Sequence, residues 1–270
     1  MNQKNEAERV SKSRVVYTMP GMESVHVTRD VPFTGADGGP LAMDVYSAAT
    51  KDDERRAAVV LVGGYPDPGF ERVVGCRFKE MGSTVSWAQL IAASGLAAIA
   101  YTNRQPEADL HALLDHLASH AGDFGIDQQG FGVWASSGNA PLALSLSMRG
   151  RERRPRCTAL LYPYLMDLGD ATAVGTASAT FHFANPCTGH TLGDLADDVP
   201  ILLARAGQDQ MPQLNASLDQ FAAAALGANL PLTLINHPAG VHGFDLYEDS
   251  DASRRIVRAI LGFLAGQTSS

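Results

Sequence analysis

From residue 57 onward, short apolar runs alternate along the chain with longer segments in which apolar residues recur every three or four positions. Such recurrence places apolar side chains on one face of a helix, whereas a short continuous apolar run between turn residues is typical of a buried strand. The clearest helical spacing is that of Leu110, Leu113, Leu114 and Leu117. The pattern predicts strands over residues 57–62, 96–101, 131–135, 158–162, 201–206 and 232–236, and helices over residues 86–93, 106–120, 141–148, 214–226 and 253–264.

Before residue 57 the pattern is different. Three short runs at residues 15–18, 25–28 and 41–46 are separated by turn-forming glycine and proline residues, and they predict strands that form an antiparallel edge. Residues 1–12 are expected to form a disordered or loosely docked arm. Together with the strand–helix alternation, this predicts an α/β fold with a doubly wound, mostly parallel sheet and an antiparallel N-terminal edge. The 270 residues are expected to form a single domain.

Residues 164–198 have no clear periodicity and are rich in Ala, Gly, Thr and Asp. A long irregular segment within a compact domain is usually functional or disordered. Because this one follows the 131–148 strand–helix unit and the next strand, we expect a lid over a pocket, with Phe181, His182 and Phe183 available to line it. The alternative is a variable surface insertion.

Composition and charge narrow the functional classes. The net charge of −8 and the pI of about 5.4 make nucleic acid and anionic membranes improbable partners. The N-terminus lacks the apolar segment of a signal peptide, and no apolar run approaches membrane-spanning length, so we expect a cytoplasmic protein. The cysteines Cys76, Cys157 and Cys187 are odd in number and widely spaced, which predicts neither a disulfide framework nor a paired metal-ligand motif.

Two serines follow the predicted strand over residues 131–135, and Pro141 then marks the start of a helix. A serine at the apex of such a strand–turn–helix unit is typical of a nucleophile elbow, whose tight turn requires small residues on both sides. Ser137 is favoured over Ser136 because Ala135 lies two residues before it, whereas Ser136 would have the bulky Trp134 there. The residue two after Ser137 is Asn139 rather than the usual glycine. The alternative is an ordinary serine-rich loop.

Two more candidate residues follow predicted strands farther along the chain. Asp209 comes after the strand at 201–206, and His242 comes after the strand at 232–236. Ligands bind outside the carboxyl ends of the strands in a doubly wound sheet, so Ser137, Asp209 and His242 are expected to meet there.

Alternatives remain for the last two positions. Asp209 also stands where an N-terminal helix cap would, and Asp167, beyond the preceding strand, is the fallback acid. His237 competes with His242 as the base, although it lies closer to the strand and precedes a proline.

The order Ser137, Asp209, His242, with the surrounding motifs Ala-Ser-Ser-Gly-Asn, Ala-Gly-Gln-Asp and Val-His-Gly-Phe, resembles the α/β-hydrolases, and among them the dienelactone-hydrolase-like serine esterases. The resemblance covers roughly residues 24–265. It implies a hydrolase in which Ser137 is the nucleophile, His242 the general base and acid, and Asp209 the residue that orients the histidine. It also implies an oxyanion hole formed by the backbone N–H groups of Gly138 and Tyr65, with Gly64 as the second choice for the latter.

An ester or lactone is the expected small-molecule substrate, with Gly64, Phe181, Phe183 and Phe244 as candidate substrate-binding residues. No cofactor is expected, because the chain has no phosphate-binding or dinucleotide motif. No metal is expected either: His116 and His120 have an i, i+4 spacing without the glutamate of a zinc-peptidase motif, and we interpret them as surface residues. Cys76 is interpreted as a buried or incidental thiol. A homo-oligomer and a non-catalytic ligand-binding or partner-binding member of the fold both stay open.

Overall fold

A computed structural model describes residues 3–48 and 55–268. Within these residues the chain forms one eight-stranded sheet in the order β1-β2-β4-β3-β5-β6-β7-β8. The strands are β1 (His26–Thr34), β2 (Pro40–Ser47), β3 (Arg56–Leu61), β4 (Ala97–Tyr101), β5 (Ile126–Ser136), β6 (Cys157–Leu161), β7 (Ile201–Ala206) and β8 (Leu232–His237). The helices are α1 (Gln3–Lys12), α2 (Asp67–Val74), α3 (Gly82–Ala93), α4 (Pro106–His120), α5 (Ala140–Ser145), α6 (Ala173–Phe181), α7 (Leu214–Gly227), α8 (Phe244–Tyr247) and α9 (Asp251–Thr268).

The sheet is parallel from β4 to β8 and antiparallel at its N-terminal edge, as predicted. β1 pairs antiparallel with β2, and β2 pairs antiparallel with β4. Each of the remaining neighbouring pairs is parallel. Parallel neighbours require crossover connections, which place the carboxyl ends of β3, β5, β6, β7 and β8 at one edge of the sheet.

Helices cover both faces, and the alternation of side chains along the strands divides the core in two. Along β3, for example, Val60 faces one core while Val59 and Leu61 face the other. The leucine stripe of α4 packs into the first core, together with α5 and α7. Trp87 and Ile91 of α3 pack into the second core, together with α9. Burial on both faces explains why the parallel strands are continuous apolar runs. The sheet is therefore a rigid platform for the loops at its edge.

The N-terminal segment differs from the expectation in two ways. Residues 15–18 are not a strand: the Val16 N–H donates to the carbonyl of Asp245, and the Val15 N–H donates to the Ser86 hydroxyl. This run is apolar because it covers α3 and the second core, not because it joins the sheet. The described part of the predicted arm, Gln3–Lys12, is helical and lies beside α2 and α3. The Arg9 guanidinium lies 4.4 Å from the centre of the Tyr247 ring.

The predicted helix over 141–148 is shorter in the structure. α5 ends at Ser145, and the backbone of the next residues turns to meet the 164–198 insertion: the Arg149 N–H donates to the Asp194 carbonyl, and the Ala196 N–H donates to the Ser147 carbonyl. The insertion contains α6, a helix that its Ala- and Gly-rich sequence did not reveal. No helix in residues 3–48 or 55–268 combines the length and the apolar character needed to cross a membrane.

Candidate active site

The turn between β5 and α5 places Ser137 in a strained backbone conformation. Its φ of +54° lies in the left-handed region, which a non-glycine residue seldom adopts, whereas Ser136 at the end of β5 is extended with a φ of −132°. The structure therefore separates the two serines: Ser137 stands at the apex of the turn, and Ser136 belongs to the strand.

His242 connects the other two predicted residues. Its Nε2 lies 3.0 Å from the Ser137 hydroxyl oxygen, and its Nδ1 lies 2.7 Å from Asp209 Oδ2. The imidazole is 28% exposed, whereas the Asp209 side chain is fully buried. A buried carboxylate on one ring nitrogen fixes the tautomer in which the other nitrogen accepts a proton from the serine. The structure therefore brings Ser137, His242 and Asp209 together at the carboxyl edge of the sheet.

The alternative residues lie elsewhere. Asp167 caps the start of α6, where its carboxylate accepts the N–H groups of Val174 and Gly175. His237 is buried, and its Nε2 lies 3.1 Å from Glu248 Oε1. The cap interpretation of Asp209 is wrong, because α7 begins at Leu214 and the residue at its N-cap is Gln213. Asp209 Oδ1 accepts the Met211 N–H at 2.8 Å in the loop before that helix, while Oδ2 faces His242.

A buried aromatic and acidic cluster lies behind His242. The Tyr162 ring packs against the imidazole with 4.6 Å between ring centres. The Tyr162 hydroxyl donates to Asp245 Oδ1, and the Trp87 Nε1–H donates to Asp245 Oδ2, both at 2.8 Å. Burial raises the pKa of the Asp245 carboxyl. The cluster supports one face of the imidazole, and no spacing in the sequence had indicated it.

The loop after β3 lies directly against the elbow. The Gly64 N–H donates to Asn139 Oδ1 at 2.7 Å, and the Gly64 carbonyl accepts the Ala184 N–H at 2.8 Å. Both polar groups of the Gly64 backbone therefore have hydrogen-bond partners within the protein. The Gly64 N–H, which was the second choice as oxyanion donor, is thus not free to bind an oxyanion. In a trans peptide the carbonyl and the following N–H point in opposite directions, so the Ala184 contact also fixes the direction of the Tyr65 N–H.

The predicted substrate-binding aromatics have three different environments. Phe183 is buried over the elbow, where a Cβ added at Gly138 would overlap both its ring and the Tyr65 hydroxyl. Phe181 is 37% exposed at the end of α6. Phe244 is fully buried in the second core, so its assignment as a substrate-binding residue is wrong. The residue follows a glycine with φ +73°, which turns the chain inward after His242.

The described part of the chain gives no support for metal binding at His116 and His120 or for a reactive thiol at Cys76. His116 and His120 stack on each other with ring centres 4.3 Å apart, and no cluster of His, Cys, Asp or Glu there could hold a metal ion. The thiol of Cys76 is half-buried, and burial together with nearby carboxylates raises its pKa, which disfavours the reactive thiolate.

No protein-family profile and no curated protein sequence matches the chain. Solved structures do match. The esterase Est22 with p-nitrophenol aligns over 98% of this chain and 87% of its own, with a TM-score of 0.69 and 16% identity. The esterase LipW from Mycobacterium marinum aligns over 90% of this chain and 82% of its own, with a TM-score of 0.67 and 20% identity. A bacterial brefeldin A esterase aligns over 98% of this chain and 83% of its own, with a TM-score of 0.69 and 16% identity. That esterase is described as a homologue of human hormone-sensitive lipase. The chain therefore has the α/β-hydrolase fold.

Proposed function

We propose that this chain of α/β-hydrolase fold is a serine hydrolase that cleaves carboxylic esters or lactones through an acyl-enzyme. One observation carries the proposal: His242 hydrogen-bonds to Ser137 through one ring nitrogen and to the buried Asp209 through the other. The left-handed backbone of Ser137 supports it, because a strained, partly buried serine in a strand-to-helix turn is typical of a nucleophile elbow. The structural neighbours Est22, LipW and the brefeldin A esterase are esterases, which agrees with it.

In the first half-reaction Ser137 Oγ attacks the carbonyl carbon of the ester. His242 Nε2 accepts the hydroxyl proton as the new C–O bond forms, because a neutral serine hydroxyl is otherwise a weak nucleophile. Asp209 stabilises the resulting imidazolium without itself taking the proton. His242 then returns that proton to the departing alcohol oxygen, the C–O bond to the alcohol breaks, and the acyl group remains on Ser137.

The negative charge of the tetrahedral intermediate requires preorganised donors. We assign these to the backbone N–H groups of Gly138 and Tyr65. Gly64 is not assigned, because its N–H already donates to Asn139. The close packing of the β3 loop on the elbow supports the assignment: a Cβ at Gly64 would lie 3.0 Å from the Gly138 carbonyl oxygen.

The second half-reaction repeats the first with water as the nucleophile. His242 accepts a proton from water, the hydroxide oxygen bonds to the acyl carbon, and Ser137 leaves with the proton that His242 returns. The products are the carboxylic acid and a regenerated serine. The Tyr162 ring, held by Asp245, keeps the imidazole in place through both proton transfers.

Hydrolysis assays on a panel of p-nitrophenyl esters and simple lactones test this proposal. The wild type is compared with Ser137→Ala and with Ser136→Ala, a matched change one residue away. We expect hydrolysis in the wild type, a loss of at least about a thousandfold in kcat for Ser137→Ala, and a change of less than about threefold for Ser136→Ala. A folded wild type that hydrolyses none of these compounds would indicate a non-catalytic binding member of the fold.

A further inference from the structure

Residues 9–17, which we call the N-terminal strap, lie on α3 without joining the sheet. A Cβ added at Gly82, the first residue of α3, would lie 2.7 Å from the carbonyl oxygens of Lys12 and Ser13, so the two backbones are in direct contact. The Val15 side chain is buried in the second core. The proposed reaction steps give this strap no role.

The strap also contacts residues 243–247, the turn that follows the proposed catalytic histidine. The Val16 N–H donates to the Asp245 carbonyl at 2.8 Å. The Arg9 guanidinium lies 4.4 Å from the centre of the Tyr247 ring, a distance at which a cation is attracted to the face of an aromatic ring. The strap therefore holds the turn at two points.

We infer that the N-terminal strap is a positioning element of the proposed hydrolase: by holding residues 243–247, it keeps the His242 imidazole between the hydroxyl and the carboxylate that it contacts. Arg9 and Val16 are the positioning residues. The inference rests on the proposed function. It gives a part in the reaction to a segment at the opposite end of the chain from the histidine.

The turn after His242 depends on its neighbours for its orientation. Its helix α8 has only four residues, and a single helical turn has little stability of its own. Gly243, with a φ of +73°, redirects the chain directly after the histidine, and a Cβ there would lie 2.9 Å from the Tyr247 ring. A displacement of that ring or of the Asp245 backbone would therefore be transmitted to the imidazole over a few residues.

Asp245 also links the strap to the ring that supports the imidazole. Its carbonyl accepts the Val16 N–H, while its carboxylate accepts the Trp87 Nε1–H and the Tyr162 hydroxyl, both at 2.8 Å. The Tyr162 ring packs on His242 with 4.6 Å between ring centres. The strap thus acts on the imidazole both along the chain and through the Tyr162 ring.

The strap is held by few buried groups, which makes it suitable for testing. None of the side chains of residues 7–14 is buried. A segment with few buried apolar contacts opens at a lower free energy than the strands and helices of a core. Changes in the strap should therefore displace the turn without unfolding the sheet.

The first comparison is between two proline variants of the full chain. Val16→Pro removes the N–H that binds Asp245, and Thr18→Pro makes the same change at an exposed position of the same segment. For hydrolysis of p-nitrophenyl acetate by Val16→Pro we expect kcat to fall by about tenfold and KM to change by less than about twofold, because a displaced base impairs the proton transfers and not ground-state binding. Thr18→Pro should keep kcat within about twofold of the wild type.

A second pair of variants tests the other contact and does not depend on the folding of Val16→Pro. Tyr247→Ala removes the ring that lies between Arg9 and Gly243, whereas Tyr247→Phe keeps that ring in place. We expect kcat to fall by about fivefold in Tyr247→Ala and to stay within about twofold of the wild type in Tyr247→Phe.

A proton NMR measurement follows the imidazole itself and does not require turnover. The proton on His242 Nδ1 faces the Asp209 carboxylate, and its hydrogen bond gives it a low-field resonance. We expect this resonance to broaden or to move upfield in Val16→Pro and in Tyr247→Ala, and to stay at its wild-type position in Thr18→Pro and in Tyr247→Phe.

A wild-type resonance in folded Val16→Pro and in Tyr247→Ala would overturn the inference, because the imidazole would then not have moved. A kcat that is unchanged in both variants, or an equal fall in Thr18→Pro, would overturn it as well. Each of these results leaves the hydrolase proposal intact when the wild type is active. A folded wild type that hydrolyses no ester contradicts the hydrolase proposal itself, and the positioning role is then rejected with it.

Discussion

Asn139 Oδ1 accepts the backbone N–H of Gly64 at 2.7 Å and so joins the turn that carries Ser137 to the loop after β3. The asparagine is 8% exposed and occupies the position where the elbow motif usually has a glycine. The departure from the motif therefore has a structural reason. The side chain satisfies a buried N–H and holds the loop that carries Tyr65 against the turn that carries Gly138.

Restoring the usual glycine at position 139 should lower the proposed hydrolase activity. Asn139→Gly leaves the Gly64 N–H without its acceptor, a loss of about 1–3 kcal/mol, and frees the loop that orients the Tyr65 N–H. Because the proposed oxyanion donors would act mainly in the transition state, we expect kcat to fall by about 10–100-fold with little change in KM. Steady-state kinetics and the affinity for a boronic acid that mimics the tetrahedral intermediate measure the effect.

Asn229→Gly is the control, since Asn229 has a φ of +55° in an exposed turn that suits glycine. A kcat equal to or above that of the wild type in Asn139→Gly would contradict this role.

Asp245 should make stability depend on pH. Burial raises the pKa of its carboxyl above 3.8, so between 3.8 and the raised value the folded protein binds more protons than the unfolded chain. The free energy of unfolding of the wild type therefore falls as the pH rises through that window. The total fall is about 1.4 kcal/mol for each unit by which the pKa of Asp245 in the folded protein exceeds its pKa in the unfolded chain. Asp245→Asn lacks this titration.

Urea unfolding of both proteins from pH 4 to pH 8 measures the difference. We expect the free energy of unfolding of the wild type minus that of Asp245→Asn to decrease with rising pH and then to level off. A difference that is constant or that increases over this range contradicts the assignment of a raised pKa to Asp245.

Gly207 should be irreplaceable in the loop that carries Asp209. A Cβ at Gly207 would overlap the backbone carbonyl oxygen of Pro238, and the Gly207 N–H donates to the His237 carbonyl at 2.8 Å. Gly207→Ala must therefore push apart the two loops that carry Asp209 and His242. We expect it to lower the free energy of unfolding by about 1–3 kcal/mol and to reduce kcat.

Gly227→Ala is the matched control for this change. Gly227 is the last residue of α7 and has open space at its Cβ position, so alanine there should be neutral or stabilise the helix by up to about 1 kcal/mol. Thermal or urea unfolding of the two variants distinguishes local overlap from a general intolerance of alanine. Equal stability of Gly207→Ala and Gly227→Ala would be the contradicting result.

The sequence predicts the sheet well because burial leaves a strong local pattern. α4 and β7 have the predicted bounds, and Ser137, Asp209 and His242 come together because each follows a parallel strand. The position of a strand end along the chain is sufficient to place a loop residue at the functional edge.

The errors arise where contacts between distant parts of the chain decide the structure. The apolar run at 15–18 packs on α3 and bonds to the backbone of Asp245, which no local pattern can indicate. Phe244 follows His242 closely, but the turn at Gly243 directs it into the core. The hydrogen bond between Asn139 and Gly64 joins two loops that are 75 residues apart in the sequence. Its only indication in the sequence is an asparagine at the position where the elbow motif usually has a glycine.

The most direct test of the account is labelling of the folded protein with a fluorophosphonate, followed by intact-mass measurement and peptide mapping. We expect one label per chain on Ser137 in the wild type, labelling slowed by at least about a hundredfold in His242→Gln, and no label in Ser137→Ala. A folded wild type that stays unlabelled, or a label that persists in Ser137→Ala, would contradict the claim that His242 activates Ser137.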